Sequence, residues 1–259
     1  MRVKTPDNVR LDFSTFGDKS DPALVLLHGL GADRNMWSPQ ICKYPEHGFF
    51  LIAPDMRGHG KTSNVDNFKI ADCARDISEL LGYLEIEQAI ILGVSMGGVI
   101  AQQFACDFPH RTDRLIVADS FSEVTSLKEK IAGWMQWLTI KFAPGLMLKS
   151  FEAAYPESKQ ANTLQYFKNS FKNINRKQLL QARAALNRFN ITFRLENLAI
   201  PALVLVGDQF GDFAINMAKK TAAAIPDVCF QILKGGYDPS NLVVPEKFDK
   251  AVINFCNSN

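Results

Sequence analysis

Two kinds of hydrophobic pattern organise this chain. Over residues 9–16, apolar Val9, Leu11 and Phe13 alternate with Arg10, Asp12 and Ser14, the period-two pattern of a half-buried edge strand. Residues 23–27, 49–53, 89–92, 114–118 and 202–206 are instead almost continuously apolar. Strands apolar on both faces, separated by helix-length segments, predict an α/β fold in which helices cover each side of a mostly parallel, doubly wound sheet. Residues 72–84 fit such a helix, with Ile77, Leu80, Leu81 and Leu84 spaced to pack one face on the sheet. Sheets of this kind bind ligands beyond the carboxyl ends of their strands, so the loops there carry the chemistry.

Three of those loops are informative. His28-Gly29-Leu30-Gly31 follows one apolar run and Asp55-Met56-Arg57-Gly58-His59-Gly60 the next. Gly93-Val94-Ser95-Met96-Gly97 stands between the run 89–92 and the helix-like segment 98–105. A strand-to-helix corner this tight admits only small residues beside the serine and leaves its hydroxyl projecting above the sheet, the arrangement of a nucleophile elbow.

Composition narrows the picture. A length of 259 residues suits one large α/β domain with an insertion. Hydrophobic residues at 47%, charged residues at 22% and a net charge of +2 show no bias toward nucleic acid or an anionic membrane, and neither is expected as a partner. Cys42, Cys73, Cys106, Cys229 and Cys256 are scattered without a C-x-x-C pair, so no disulfide framework, zinc site or other metal or cofactor is expected. The first residues lack the apolar core of a signal peptide and no run approaches a membrane span, which predicts a cytoplasmic protein.

The loops at residues 28–37, 55–60 and 93–98, in register, resemble those of the α/β-hydrolase superfamily, and within it the small cytosolic esterases and enol-lactone hydrolases. The similarity covers residues from about 9 to 120 and from about 200 to 257. It implies a hydrolase core at 1–120 and 200–259 with a helical lid inserted at 121–199. It also implies an oxyanion hole formed by the backbone N–H groups of Leu30 and Met96, and no cofactor. The lid would supply apolar wall around the serine, with Trp134 and Trp137 as candidates, which favours an apolar or aromatic small molecule. The chain is expected to be a monomer or homodimer.

Against that pattern the C-terminal third departs. A serine is a weak nucleophile unless a base takes its proton, and the family supplies a late histidine oriented by an earlier carboxylate. Here the histidines are His28, His47, His59 and His110, and none follows Ser95 by more than 15 residues. The family's acid loop, Gly-x-x-Asp, reads Gly207-Asp208-Gln209-Phe210. Its histidine loop reads Gly235-Gly236-Tyr237-Asp238-Pro239-Ser240-Asn241-Leu242, with Asp238 in the histidine's place. An intact elbow beside an incomplete triad points to replacement by selection or by engineering.

Three functions are compatible with these residues. Ser95 could hydrolyse a small activated carboxylic ester with Asp238 as a poor base. Asp238, desolvated by Tyr237 and Phe210, could abstract a proton from a carbon acid. The chain could also be an inactive ligand-binding relative that keeps the pocket. Asp119, after the run 114–118, reads as a loop cap, and His28 and His59 as loop anchors.

Overall fold

A computed structural model describes residues 1–258. Eight strands form one sheet: β1 (Arg2–Lys4), β2 (Arg10–Phe16), β3 (Ala23–Leu27), β4 (Phe50–Pro54), β5 (Ala89–Val94), β6 (Thr112–Ala118), β7 (Ala202–Gly207) and β8 (Val228–Leu233). Their spatial order is β1-β2-β4-β3-β5-β6-β7-β8. The pairs β1–β2 and β2–β4 are antiparallel and the remainder parallel.

The helices are α1 (Ser38–Lys43), α2 (Ile70–Tyr83), α3 (Met96–Asp107), α4 (Leu127–Phe142), α5 (Pro144–Ala154), α6 (Glu157–Asn173), α7 (Arg176–Leu186), α8 (Thr192–Leu195), α9 (Asp212–Ala223), α10 (Ser240–Val243) and α11 (Pro245–Asn257). Successive side chains of a strand point to opposite faces, and here each face is buried. Val25, Leu27 and Ile91 pack with Cys73, Ile77 and Leu80 of α2 and Val99 and Phe104 of α3. Leu24, Leu26, Ile90 and Leu92 pack on the other side with Trp37, Tyr44 and Phe248. That double burial is why the central strands read as unbroken apolar runs.

The alternating segment behaves differently from its sequence pattern. β2 is not an edge, because the three-residue β1 covers its outer side, and Asp12 is buried with Leu11 and Phe13. Its carboxylate is held by Arg34 and by Arg2, at 2.7 Å to the latter, and this ion pairing is what permits a polar residue at that depth. β8, whose positions are mostly exposed or half-buried, closes the far edge with too little apolar signal to stand out in the sequence.

Four helices, α4 to α7, fill most of the segment between β6 and α8. A bridge between Glu123 and Asn190 ties its two ends together where it leaves and rejoins the core. Leu164, Phe167 and Tyr155 form a small core of their own that leans on Tyr237, Leu242 and Val243 of the loop after β8. These helices thus pack directly on the loop that carries Asp238.

Candidate active site

Register places the chemistry. Leu27 pairs with Gly93 and Gly93 with Val117, so the carboxyl ends of β3, β5 and β6 finish level. The residues just beyond, Gly29 and Leu30, Ser95, and Asp119, therefore gather on one rim. Ser95 occupies the corner with φ 57° and ψ −117°, a strained conformation for a residue with a side chain. Close packing holds it there: a Cβ on Gly93 would collide with the Gly97 carbonyl, and one on Gly97 with the Leu27 carbonyl. The Ser95 N–H donates to the Ala118 carbonyl at 2.9 Å, and the Ser120 hydroxyl donates to the Ser95 carbonyl at 2.7 Å.

Gly29 lies against Ser95, where a Cβ would approach the serine Cβ to 3.5 Å. Among the described residues the Leu30 N–H has no protein acceptor, and neither has the Met96 N–H at the first position of α3. Helix N-termini leave such donors free and carry partial positive charge. Both border the same cavity as Ser95, so the two donors can serve an oxygen that becomes negatively charged there.

Asp238 completes the cluster. It is half-buried on the cavity wall, with the Ser95 hydroxyl within hydrogen-bonding reach of its carboxylate. Burial holds its pKa well above the usual carboxylate range, and the charge of Asp119 adds to this, while the Ser95 contact works in the opposite direction. Asp119 is itself buried and accepts from the Gly207 N–H at 3.0 Å, the Ser240 N–H at 2.7 Å and the Ser240 hydroxyl at 2.9 Å. Desolvation raises its pKa to about 6 despite those three donors. Asp119 does cap a loop, but the loop is that of Asp238, and this electrostatic link could not be read from the sequence.

The histidines sit elsewhere. His28 accepts from the Met56 N–H at 2.9 Å through Nε2, and its Nδ1 faces the Gly29 carbonyl at 2.8 Å, which fixes a neutral ring anchoring its loop. His59 packs 5.3 Å from His28, its Nδ1 against the Arg57 carbonyl, with burial and His28 lowering its pKa to about 3. His47 and His110 are exposed on surface turns. Among the described residues, no histidine borders the cavity. No cluster of three or more potential metal ligands occurs among them either.

The cavity has a volume of about 280 Å³ and lies beneath the helical insertion. Phe210 lines it; Tyr237 stands behind, its ring 5.0 Å from Phe210 and 5.8 Å from Tyr155. The structure does not bring Trp134 or Trp137 to the wall. α4 turns its Gly133–Ile140 side inward, and a Cβ on Gly133 would collide with Asn187, so the helix phase sends Trp134 to solvent at 59% exposure. Trp137 instead stacks under the Lys141 ammonium, 4.8 Å from the ring centroid. The aromatic wall comes from Phe151, Tyr155 and Phe167, stacked at 4.9 and 5.2 Å. The spacing of Phe151 and Tyr155, four apart at the end of α5 and its C-cap, was the available signal for it. Arg183 also borders the cavity, its guanidinium donating to the neutral amides of Gln136 and Asn187, and burial lowers its pKa to about 10.

Comparison with known proteins agrees with this fold. The model of the alpha/beta hydrolase fold matches residues 22–240. The chain is 28% identical over 256 residues to 3-oxoadipate enol-lactonase 2 of Acinetobacter baylyi, covering 96% of this chain and 93% of the relative. It is 23% identical over 253 residues to a putative carbamate hydrolase, RutD, of Variovorax paradoxus, covering 95% of each. Among solved structures, the enol-lactonase from Burkholderia xenovorans superposes with a TM-score of 0.88 over 100% of both chains at 19% identity, a likeness of fold. A thermophilic esterase from Thermogutta terrifontis gives 0.86 at 25% identity, over 99% of this chain and 98% of the other.

Proposed function

This chain belongs to the alpha/beta hydrolase fold family, and on that footing we propose that it hydrolyses a small activated carboxylic ester or lactone through Ser95, with Asp238 where the family has an imidazole. The observation that carries this reading is the meeting of three features in one cavity: the elbow hydroxyl, a carboxylate within its reach, and two uncommitted N–H donors.

In the proposed reaction the Ser95 oxygen attacks the substrate carbonyl as its proton passes to ionised Asp238. The charge developing on the carbonyl oxygen meets the Leu30 and Met96 N–H groups. The bond to the leaving oxygen then breaks as Asp238 passes the proton to it. Ionised again, Asp238 takes a proton from water, whose oxygen attacks the acyl carbon; that proton returns to Ser95 as the acid is released. A carboxylate is a weaker base than imidazole, but desolvation narrows the gap by raising its pKa. Because the base is weak, the reaction is best served by an activated substrate whose leaving group is stable as an anion, such as an enol or phenol. The relative's name, an enol-lactonase, supports that class. Phe121, Phe151, Phe167 and Phe210 around the cavity favour an apolar acyl or ring portion. Oxyanion stabilisation and binding alone sustain roughly 10³–10⁴-fold catalysis over water when a triad member is missing, which sets the floor for the expected rate.

The test is labelling by a fluorophosphonate together with turnover of a phenyl ester and an enol lactone. Covalent labelling at Ser95, with turnover lost in Ser95→Ala and in Asp238→Asn, is the expected result. Turnover of a carbon acid that survives Ser95→Ala but not Asp238→Asn would assign proton abstraction instead. Tight ligand binding without labelling or turnover would make the cavity that of a binding protein.

A further inference from the structure

The outward face of α4 carries an apolar stripe that nothing among the described residues covers. Leu127 is 74% exposed, Phe142 70% and Trp134 59%, with Ile131 and Met135 also exposed. At about 100° per residue these five side chains fall within a sector of roughly 100°. The buried positions of the same helix, Gly133 and Ile140, lie on the opposite side. Leu146 of α5 extends the patch. Isolated apolar residues on a surface are ordinary; a contiguous stripe running the length of a helix marks a site of interaction.

The charges beside the stripe are of one sign. On the helical wheel Lys128 borders it on one side and Lys130 and Lys141 on the other, all three exposed, and none pairs with a carboxylate among the described residues. The helix's one acidic residue, Glu129, is turned away and committed to the Thr125 and Ser126 N–H groups at 2.7 and 2.8 Å. Trp, Phe, Leu and Ile between flanking lysines form the pattern by which a helix lies in the plane of a lipid surface, apolar side down and ammonium groups at the anionic headgroups. No described helix is long and apolar enough to cross a membrane, so α4 can only lie along one.

We propose that α4 docks this protein on anionic lipid surfaces. Net charge alone, at +2, gave no reason to expect this; the asymmetry appears only once the helix phase is known. A second copy of the chain is the competing occupant, and the lysines argue against it. Pairing the stripe with itself about a twofold axis would bring Lys128, Lys130 and Lys141 of two copies together with no acidic group to meet them.

Two measurements on the full chain decide the matter. In the first, the protein is sedimented with phosphatidylcholine vesicles with and without phosphatidylglycerol, while tryptophan emission is followed. Binding confined to the phosphatidylglycerol vesicles, a blue shift, and release by salt are expected. Trp134→Glu with Phe142→Glu should weaken binding at least about tenfold, and neutralising Lys128, Lys130 and Lys141 to Gln should also weaken it. In the second, mass in solution is measured by light scattering. Failure of the wild-type protein to bind the anionic vesicles would overturn the proposal. So would a dimer that the Trp134→Glu, Phe142→Glu variant dissociates, since the face would then belong to a second copy. Neither readout depends on Ser95 chemistry.

Discussion

Asp119 and Asp238 are charge-coupled. Asp119 grips the backbone two residues beyond Asp238 through the Ser240 N–H at 2.7 Å and hydroxyl at 2.9 Å, and its charge raises the pKa of the carboxyl beside Ser95. Two carboxylates coupled in this way, one buried and one half-buried, resist ionising together. Asp119, with three donors, is the better suited to hold the charge, and Asp238 to hold the proton until the pH is raised.

Turnover should therefore climb with pH. The base form of Asp238 is the deprotonated one, so kcat/KM is expected to rise through an apparent pKa well above the ordinary carboxylate range. Asp119→Asn, by removing the like charge, should shift that rise to lower pH. A flat profile in a pH series of ester hydrolysis would show that Asp238 does not take the proton.

The same shift has a cost in stability. A carboxyl whose folded pKa exceeds its unfolded value of about 3.9 contributes fully to stability below that value. Its contribution is lost as pH rises toward the folded pKa. Asp238→Asn should accordingly raise the melting temperature at pH 8 by at least about 2–4 °C while abolishing turnover. At pH 4 the gain should nearly vanish. Thermal unfolding of the two proteins at both pH values measures this.

Restoring an imidazole gives a third expectation. Because Asp119 already stands by position 238, Asp238→His alone should raise ester hydrolysis by roughly 10²–10⁴-fold. Asp119→Asn in that background should cancel most of the gain. If Asp238→His is silent and only its combination with Phe210→Asp succeeds, the orienting acid belongs at position 210 instead.

The elbow itself can be probed by packing. Gly97→Ala would drive a methyl group into the Leu27 carbonyl, which belongs to a central strand and has little room to move. The expected loss is about 3–5 kcal/mol or outright failure to fold. Gly48→Ala meets no neighbouring atom and serves as the control, although its left-handed φ of 76° costs something by itself. Denaturant titration distinguishes the two.

The sequence by itself determined the sheet and the corner. Residues 23–27, 89–92 and 202–206 could only be central strands, because a segment apolar on both faces must be covered on both. The small residues around Ser95 could only be a turn of this tightness. The resemblance also proposed Asp238 for the histidine's place, from the loop's register alone. What the tertiary structure decided is everything that depends on helix phase and on contacts distant along the chain. Asp119 and Asp238 are 119 positions apart, and the parallel registers of β6 with β7 and of β7 with β8 bring their loops together. Trp134 and Trp137 had the composition of a pocket wall, yet the seating of Gly133 against α7 turned that side of α4 outward. A periodic pattern shows that a helix has two faces; the partner against which it packs selects the one that is buried.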